Sequence, residues 1–104
     1  MNSIIDGNRL GQCYVCGQYG SMQVHHMMHG TANRRNAEHY GLKIYLCPAC
    51  HHRVHCEPGG KLDLELKMIA QEEFERKWGH EEWMKVFGKN YILEDEGNDE
   101  LRIN

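Results

Sequence analysis

Two Cys-x-x-Cys pairs, Cys13–Cys16 and Cys47–Cys50, constrain this chain more than any other feature, with thirty residues between them. Each pair, followed or joined by a tight turn, presents two thiolates on one side of the backbone, as in a zinc knuckle. Gly17, directly after Cys16, permits the turn. Four soft ligands from two distant segments suit one tetrahedral zinc ion. That site leaves no open coordination position, so it is expected to be structural and to contribute folding free energy directly. The competing reading is four reduced thiols packed in a core, or a redox pair. The chain has 104 residues and 8 histidines, the size at which a modest hydrophobic core is usually helped by metal staples. It has no apolar run near eighteen residues and no basic-then-apolar N-terminus. The expectation is therefore a cytoplasmic protein with no membrane association, in a compartment where paired cysteines serve as metal ligands rather than disulfides. The fifth thiol, Cys56, reads as a small apolar filler or an exposed group.

The net charge of −3 argues against a nucleic-acid partner until its distribution is considered. Residues 1–61 hold six Lys or Arg against three acids, whereas residues 62–104 hold six against twelve. The N-terminal part is thus the expected phosphate-facing part, and the acidic part a solvated helical support.

Along the chain, residues 1–12 form a lead-in without a clear period. A short strand is expected over Met22–His26, then a turn-rich basic loop over Gly30–Arg35. Leu42, Ile44 and Leu46 alternate with Lys43 and Tyr45, the pattern of a half-buried strand. Pro48 can open a short helix, PACHHRVH, that Pro58-Gly59-Gly60 ends. From Leu62 a longer helix is expected, with Leu62, Leu66, Ile69, Ala70, Phe74 and Trp78 on one face, Asp63 as cap and Gly79 as stop. A shorter amphipathic piece carries Trp83 and Phe87 and ends at Gly88. The tail from Glu94 to Asn104 is acidic enough to be disordered. The organisation that follows is a lead-in (1–12), a zinc-stapled core (13–61), a helical extension packed on it (62–91) and an acidic tail (92–104).

The histidines supply the second constellation. His51 and His55, four apart on a helix, can place two imidazoles on one metal ion. His25 and His26 are adjacent, so on a strand they point to opposite sides. At a strand end both can still reach a cleft. An open site on His25, His51 and His55 would leave room for a phosphate oxygen and water, with His26 free to act as a base. Three imidazoles favour late transition metals, though Mg²⁺ and Mn²⁺ are also open to such a site. His52 and His29 are open between a contact to phosphate or to a metal ligand and plain exposure, and His39 and His80 read as surface residues.

These residues resemble a known family. The order Val24-His25-His26, a glycine- and arginine-bearing loop, a strand ending in Leu46, then Cys47-Pro-Ala-Cys50-His51-His52 and His55, is similar to the HNH, or ββα-metal, nucleases. The flanking cysteine pairs are similar to those of phage and prophage HNH proteins, and GTANRR with Tyr40-Gly41-Leu42 looks like a phage-type subgroup whose helical extension resembles residues 70–91. The resemblance implies an α+β fold, a ββα-metal (His-Me finger) core stapled by the four-cysteine zinc, with a C-terminal helical extension. It also implies a metal-dependent endonuclease that hydrolyses DNA phosphodiesters in a bacterial host cell and leaves 5′-phosphates. In that scheme His26 is the general base and His25, His51 and His55 hold the catalytic divalent metal (Mg²⁺, Mn²⁺, Ni²⁺ or Zn²⁺). Arg34, Arg35 and Arg53 position flanking phosphates, and Lys43 is a further candidate. The family's middle Asn has no counterpart at the usual place, where this chain has Tyr40, Gly41 and Leu42. Asn33 and Asn36 are the nearest candidates. The alternative is a non-catalytic zinc-binding module that binds DNA or protein, its histidines filling a second structural site.

Overall fold

The computed structural model describes residues 2–92, and the acidic tail expected to be disordered lies outside them. The architecture is α+β: a two-stranded antiparallel sheet and four helices, in the order β1 (Gln23–His26), α1 (Thr31–Tyr40), β2 (Lys43–Leu46), α2 (Pro48–Cys56), α3 (Lys61–Trp78) and α4 (His80–Phe87). Among these described helices none is long and apolar enough to cross a membrane.

The alternation read at residues 42–46 has its physical basis in one buried face. Leu42, Ile44 and Leu46 are fully buried, while Lys43 and Tyr45 are half-buried. The register pairs His25 with Ile44 and His26 with Lys43. Residues directly opposite share a face of the sheet, so His25 turns toward the core and His26 away from it. Met27 N–H donates to Leu42 O at 3.0 Å and continues the ladder by one rung.

The basic segment expected as a loop is instead the start of a ten-residue helix. Gly30, at φ 91° and ψ 156°, makes the turn into α1, and Gly41, at φ 76°, closes it with its N–H on Ala37 O and Glu38 O. Between those two glycines lie Ala32, Arg34, Arg35, Ala37 and Glu38, all good helix formers, with no proline. The turn residues at the start of the segment masked this. Gly41 is required twice over: its φ is left-handed, and a Cβ there would collide with Asn2 O.

The lead-in is not a loose end. Ile4 N–H donates to Gly41 O at 2.9 Å, Ser3 Oγ to Lys43 O at 2.6 Å, and Tyr45 N–H to Asn8 Oδ1 at 2.8 Å. Tyr14 N–H donates to Tyr45 O at 2.8 Å. Residues 3–14 therefore satisfy the outer edge of β2, which would otherwise offer unpaired backbone groups.

The extension packs through aromatics. Phe74 is fully buried, with ring centroids of Tyr40, Trp78, Trp83 and Phe87 between 4.9 and 5.9 Å from its own. Trp83 donates Nε1–H to Lys89 O at 2.7 Å. Gly79, at φ 90°, both ends α3 and begins α4. The cap of α3 differs from expectation: Gly60 is the N-cap, and Asp63 sits in the first turn with its carboxylate reaching back to Gly59 N–H at 2.9 Å. The sequence signal at Asp63 was displaced by three residues because Gly59-Gly60 already makes the turn.

Candidate metal centres and cleft

Cys13, Cys16, Cys47 and Cys50 converge, with all four sulfurs within 4.8 Å of one another. None of the five cysteines forms a disulfide. Cys16 N–H points at Cys13 Sγ (3.5 Å) and Cys50 N–H at Cys47 Sγ (3.4 Å), the paired amide-to-sulfur contacts of two knuckles. Cys47 is at the same time the N-cap of α2. Cys16 and Cys47 sulfurs are 3.8 Å apart. Tetrahedral ligation at about 2.3 Å separates two sulfurs by about 3.8 Å, so the group can hold a metal ion with little rearrangement. The four thiols divide. Burial raises Cys13, but the backbone N–H groups of Cys16, Cys47 and Val15 outweigh it and bring it down to about 6. Burial and the neighbouring sulfurs push Cys50 up to about 12. Crowded sulfurs resist sharing negative charge unless a cation neutralises it.

The second group is His25, His51 and His55, whose ligand nitrogens also lie within 4.8 Å of one another. Strand β1 delivers His25 from below and one turn of α2 delivers the other two. His51 and His55 Nε2 atoms are 3.0 Å apart, close to the roughly 3.3 Å of two imidazole nitrogens on one tetrahedral ion. Gln23 Oε1 accepts Nδ1–H of His51 at 2.5 Å, which fixes the tautomer and turns the Nε2 lone pair toward His55. His25 is 2 % exposed, and its Nε2 is the buried side-chain polar atom that lacks a hydrogen-bond partner among the described residues. Such an orphan is costly unless a ligand takes its lone pair. Burial first, then the nearby imidazoles of His29, His51 and His55, pushes His25 down to about 4, so it stays neutral and able to coordinate at ordinary pH. His51 is lowered by burial and by His55.

These imidazoles floor a cleft of about 810 Å³. His26, Arg34 and Arg35 line it together with Val24, His29, Gly30 and Thr31, and with Met28 and Glu38, which the sequence did not single out. Arg53 is not brought there. It is exposed on α2, two residues from both His51 and His55, and at 100° per residue it faces nearly the opposite way. Lys43 reaches Glu38 rather than the cleft. Asn33 and Asn36 do not line it. His52 is exposed, its Nε2 3.2 Å from Cys56 Sγ on the outer face of α2.

Two carboxylates hold the remaining histidines of the cleft. Glu38 Oε1 meets His26 Nε2 at 2.8 Å, and Lys43 Nζ donates to Glu38 Oε2 at 2.7 Å. Lys43 first, then His26, keeps the Glu38 carboxyl down at about 2. On the other side His29 Nε2 donates to Asp63 Oδ1 at 2.7 Å, and Lys67 pairs with Asp63 Oδ2 at 2.9 Å. Asp63 is 1 % exposed. Burial pushes it up, but the hydrogen bonds from Lys67, Gly59 N–H and His29 outweigh that and hold it below its usual value. The sequence signal for Glu38 was available once residues 31–40 are taken as a helix. The His29–Asp63 pair, 34 positions apart, had none.

No protein-family model matches the chain, nor does any curated protein or solved structure.

Proposed function

We propose that this chain is a metal-dependent nuclease of the HNH kind acting on DNA, with a structural zinc on Cys13, Cys16, Cys47 and Cys50. The observation that carries the reading is His25, whose Nε2 is buried and without a hydrogen-bond partner among the described residues, meeting His51 and His55 on the floor of an arginine-walled cleft. Those three residues would hold a divalent cation, which would supply Lewis acidity toward a phosphodiester. Each neighbouring side chain then has a task. His26, at the strand end, takes the proton of the attacking water. Nε2–H to Glu38 leaves Nδ1 with the lone pair. Glu38 orients that ring and stabilises the imidazolium as it forms, the service a carboxylate renders a histidine base in other hydrolases. In this reading Glu38, fixed by Lys43, braces the His26 ring. Arg34 and Arg35 hold phosphate.

A non-catalytic module is the second reading, and one observation favours it. The His29 ring lies 5.6 Å from His25 and 6.2 Å from His55, so a fourth imidazole stands beside the three. One experiment separates the two. Purified protein is incubated with supercoiled plasmid and Mg²⁺, Mn²⁺, Ni²⁺ or Zn²⁺, beside His26→Ala. Nicking by the wild type that His26→Ala loses is the expected result. No nicking with any metal, or equal nicking by the variant, removes the nuclease reading.

A further inference from the structure

The negative charge of this chain is carried by its end. Residues 1–92 hold eleven Lys or Arg against ten acids, whereas residues 93–104 hold Arg102 against Glu94, Asp95, Glu96, Asp99 and Glu100. The cleft has the opposite sign. Arg34 and Arg35 are exposed on α1 and line it, and neither forms an ion pair among the described residues. The carboxylate in the lining, Glu38, is held by Lys43 and His26. Val24, apolar yet 48 % exposed, lines the same cleft. An occupant with several carboxylates and a few aliphatic side chains suits that combination, because guanidinium groups pair best with carboxylates or phosphates. Leu93, Leu101 and Ile103 accompany the five acids of residues 93–104.

The fold puts the start of this acidic segment near the cleft. Tyr91 N–H donates to Gln71 Oε1 at 2.7 Å, and Gln71 is fully buried, so the chain is pinned to α3 at that point. The Tyr91 ring faces Lys67 Nζ, 5.5 Å from the ring centroid. Lys67 pairs with Asp63 Oδ2 at 2.9 Å, and Asp63 Oδ1 accepts at 2.7 Å from His29, which lines the cleft. Three contacts thus separate Tyr91 from the cleft wall. The twelve residues 93–104 reach about 40 Å when extended, more than that path requires. A tether this short gives the acidic segment an effective concentration on the order of millimolar beside the cleft. We propose that residues 93–104 dock in the cleft of their own chain, with carboxylates on Arg34 and Arg35, and keep other anions out until displaced. The docking follows from charge and tether and does not need the nuclease reading. Under that reading the segment competes with the phosphodiester for the same guanidinium groups and is autoinhibitory.

The test reads the two arginines directly in the full chain. Wild type is compared with a variant carrying Glu94→Gln, Asp95→Asn, Glu96→Gln, Asp99→Asn and Glu100→Gln, whose helical circular dichroism should match it. Both are treated with phenylglyoxal, which modifies guanidinium groups, and the rate at each arginine is followed by mass spectrometry of peptides. In about 20 mM salt Arg34 and Arg35 should react about fivefold more slowly in wild type than in the variant, and in about 1 M salt at equal rates. Arg53, exposed on the outer face of α2, should react alike in both proteins. Equal rates at Arg34 and Arg35 in low salt overturn the docking. A difference shared by Arg53 also overturns it, since it reports only the general field of the acidic segment. Protection that grows with protein concentration gives the cleft to the segment of a second copy and overturns docking within one chain. No cleavage is read, so these outcomes are the same whether or not the protein nicks plasmid.

Discussion

Asp63 is the hub whose removal should be felt most. Its side chain is fully buried and joins three elements: Gly59 N–H from the turn before α3, Lys67 one turn further on, and His29 from the cleft. Asp63→Ala strips the counter-charge from Lys67, whose side chain is 13 % exposed, and takes the acceptor from Gly59 N–H. Removing one partner of a buried pair costs about 3–5 kcal/mol on the general scale. Because His29 is one-third exposed and can rehydrate, the lower end applies, about 3 kcal/mol. For a domain of this size that lowers Tm by on the order of 15 °C. Thermal and urea melts at saturating zinc measure it, with Asp63→Asn, which can still accept from Gly59 N–H, expected to fall between. The pH dependence has a definite sign. The folded-state pKa of Asp63 lies below its ordinary value of 3.8, so its contribution is present above about pH 4 and lost as pH falls through the folded value. The gap between wild type and Asp63→Ala should thus be flat above that point and close below it. A variant melting within about 3 °C of wild type, or a gap that widens in acid, would refute the argument.

The other predictions are brief. Stripping bound metal with a strong chelator, or Cys47→Ser, should remove most helical circular dichroism, since Cys47 is both ligand and cap; an unchanged spectrum at zero metal content would show that no ion staples the fold. Gly41→Ala should cost about 2 kcal/mol or more in urea melts, from the positive φ together with the collision with Asn2 O, and a neutral result would mean that the lead-in does not lie along β2. Glu38→Ala should lower kcat of nicking by about 10- to 100-fold with little change in KM or in metal content, and Glu38→Gln, which still accepts from His26, should recover part of it. Loss of metal by Glu38→Ala would instead place Glu38 in the metal site's own support.

What the sequence determined is what short-range geometry encodes. Cys-x-x-Cys makes a knuckle from residues three apart, His51 and His55 share a helix face because four residues make about one turn, and the alternation at residues 42–46 matches the pleat of β2. The stripe from Leu66 to Phe74 found its core for the same reason. Tertiary packing decided the rest. Whether residues 30–35 turn or wind depended on Gly41 closing a helix ten residues on, beyond the reach of a local turn signal. Strand alternation sends His25 and His26 to opposite faces, and only the fold-back of α1 brings Glu38 to His26. Arg53 lost its place because helix phase, not sequence proximity to His51 and His55, selects who faces the cleft. The pairing of His29 with Asp63 joins segments whose separate patterns say nothing of each other, since hydrogen bonds across 34 residues arise from the docking of whole elements.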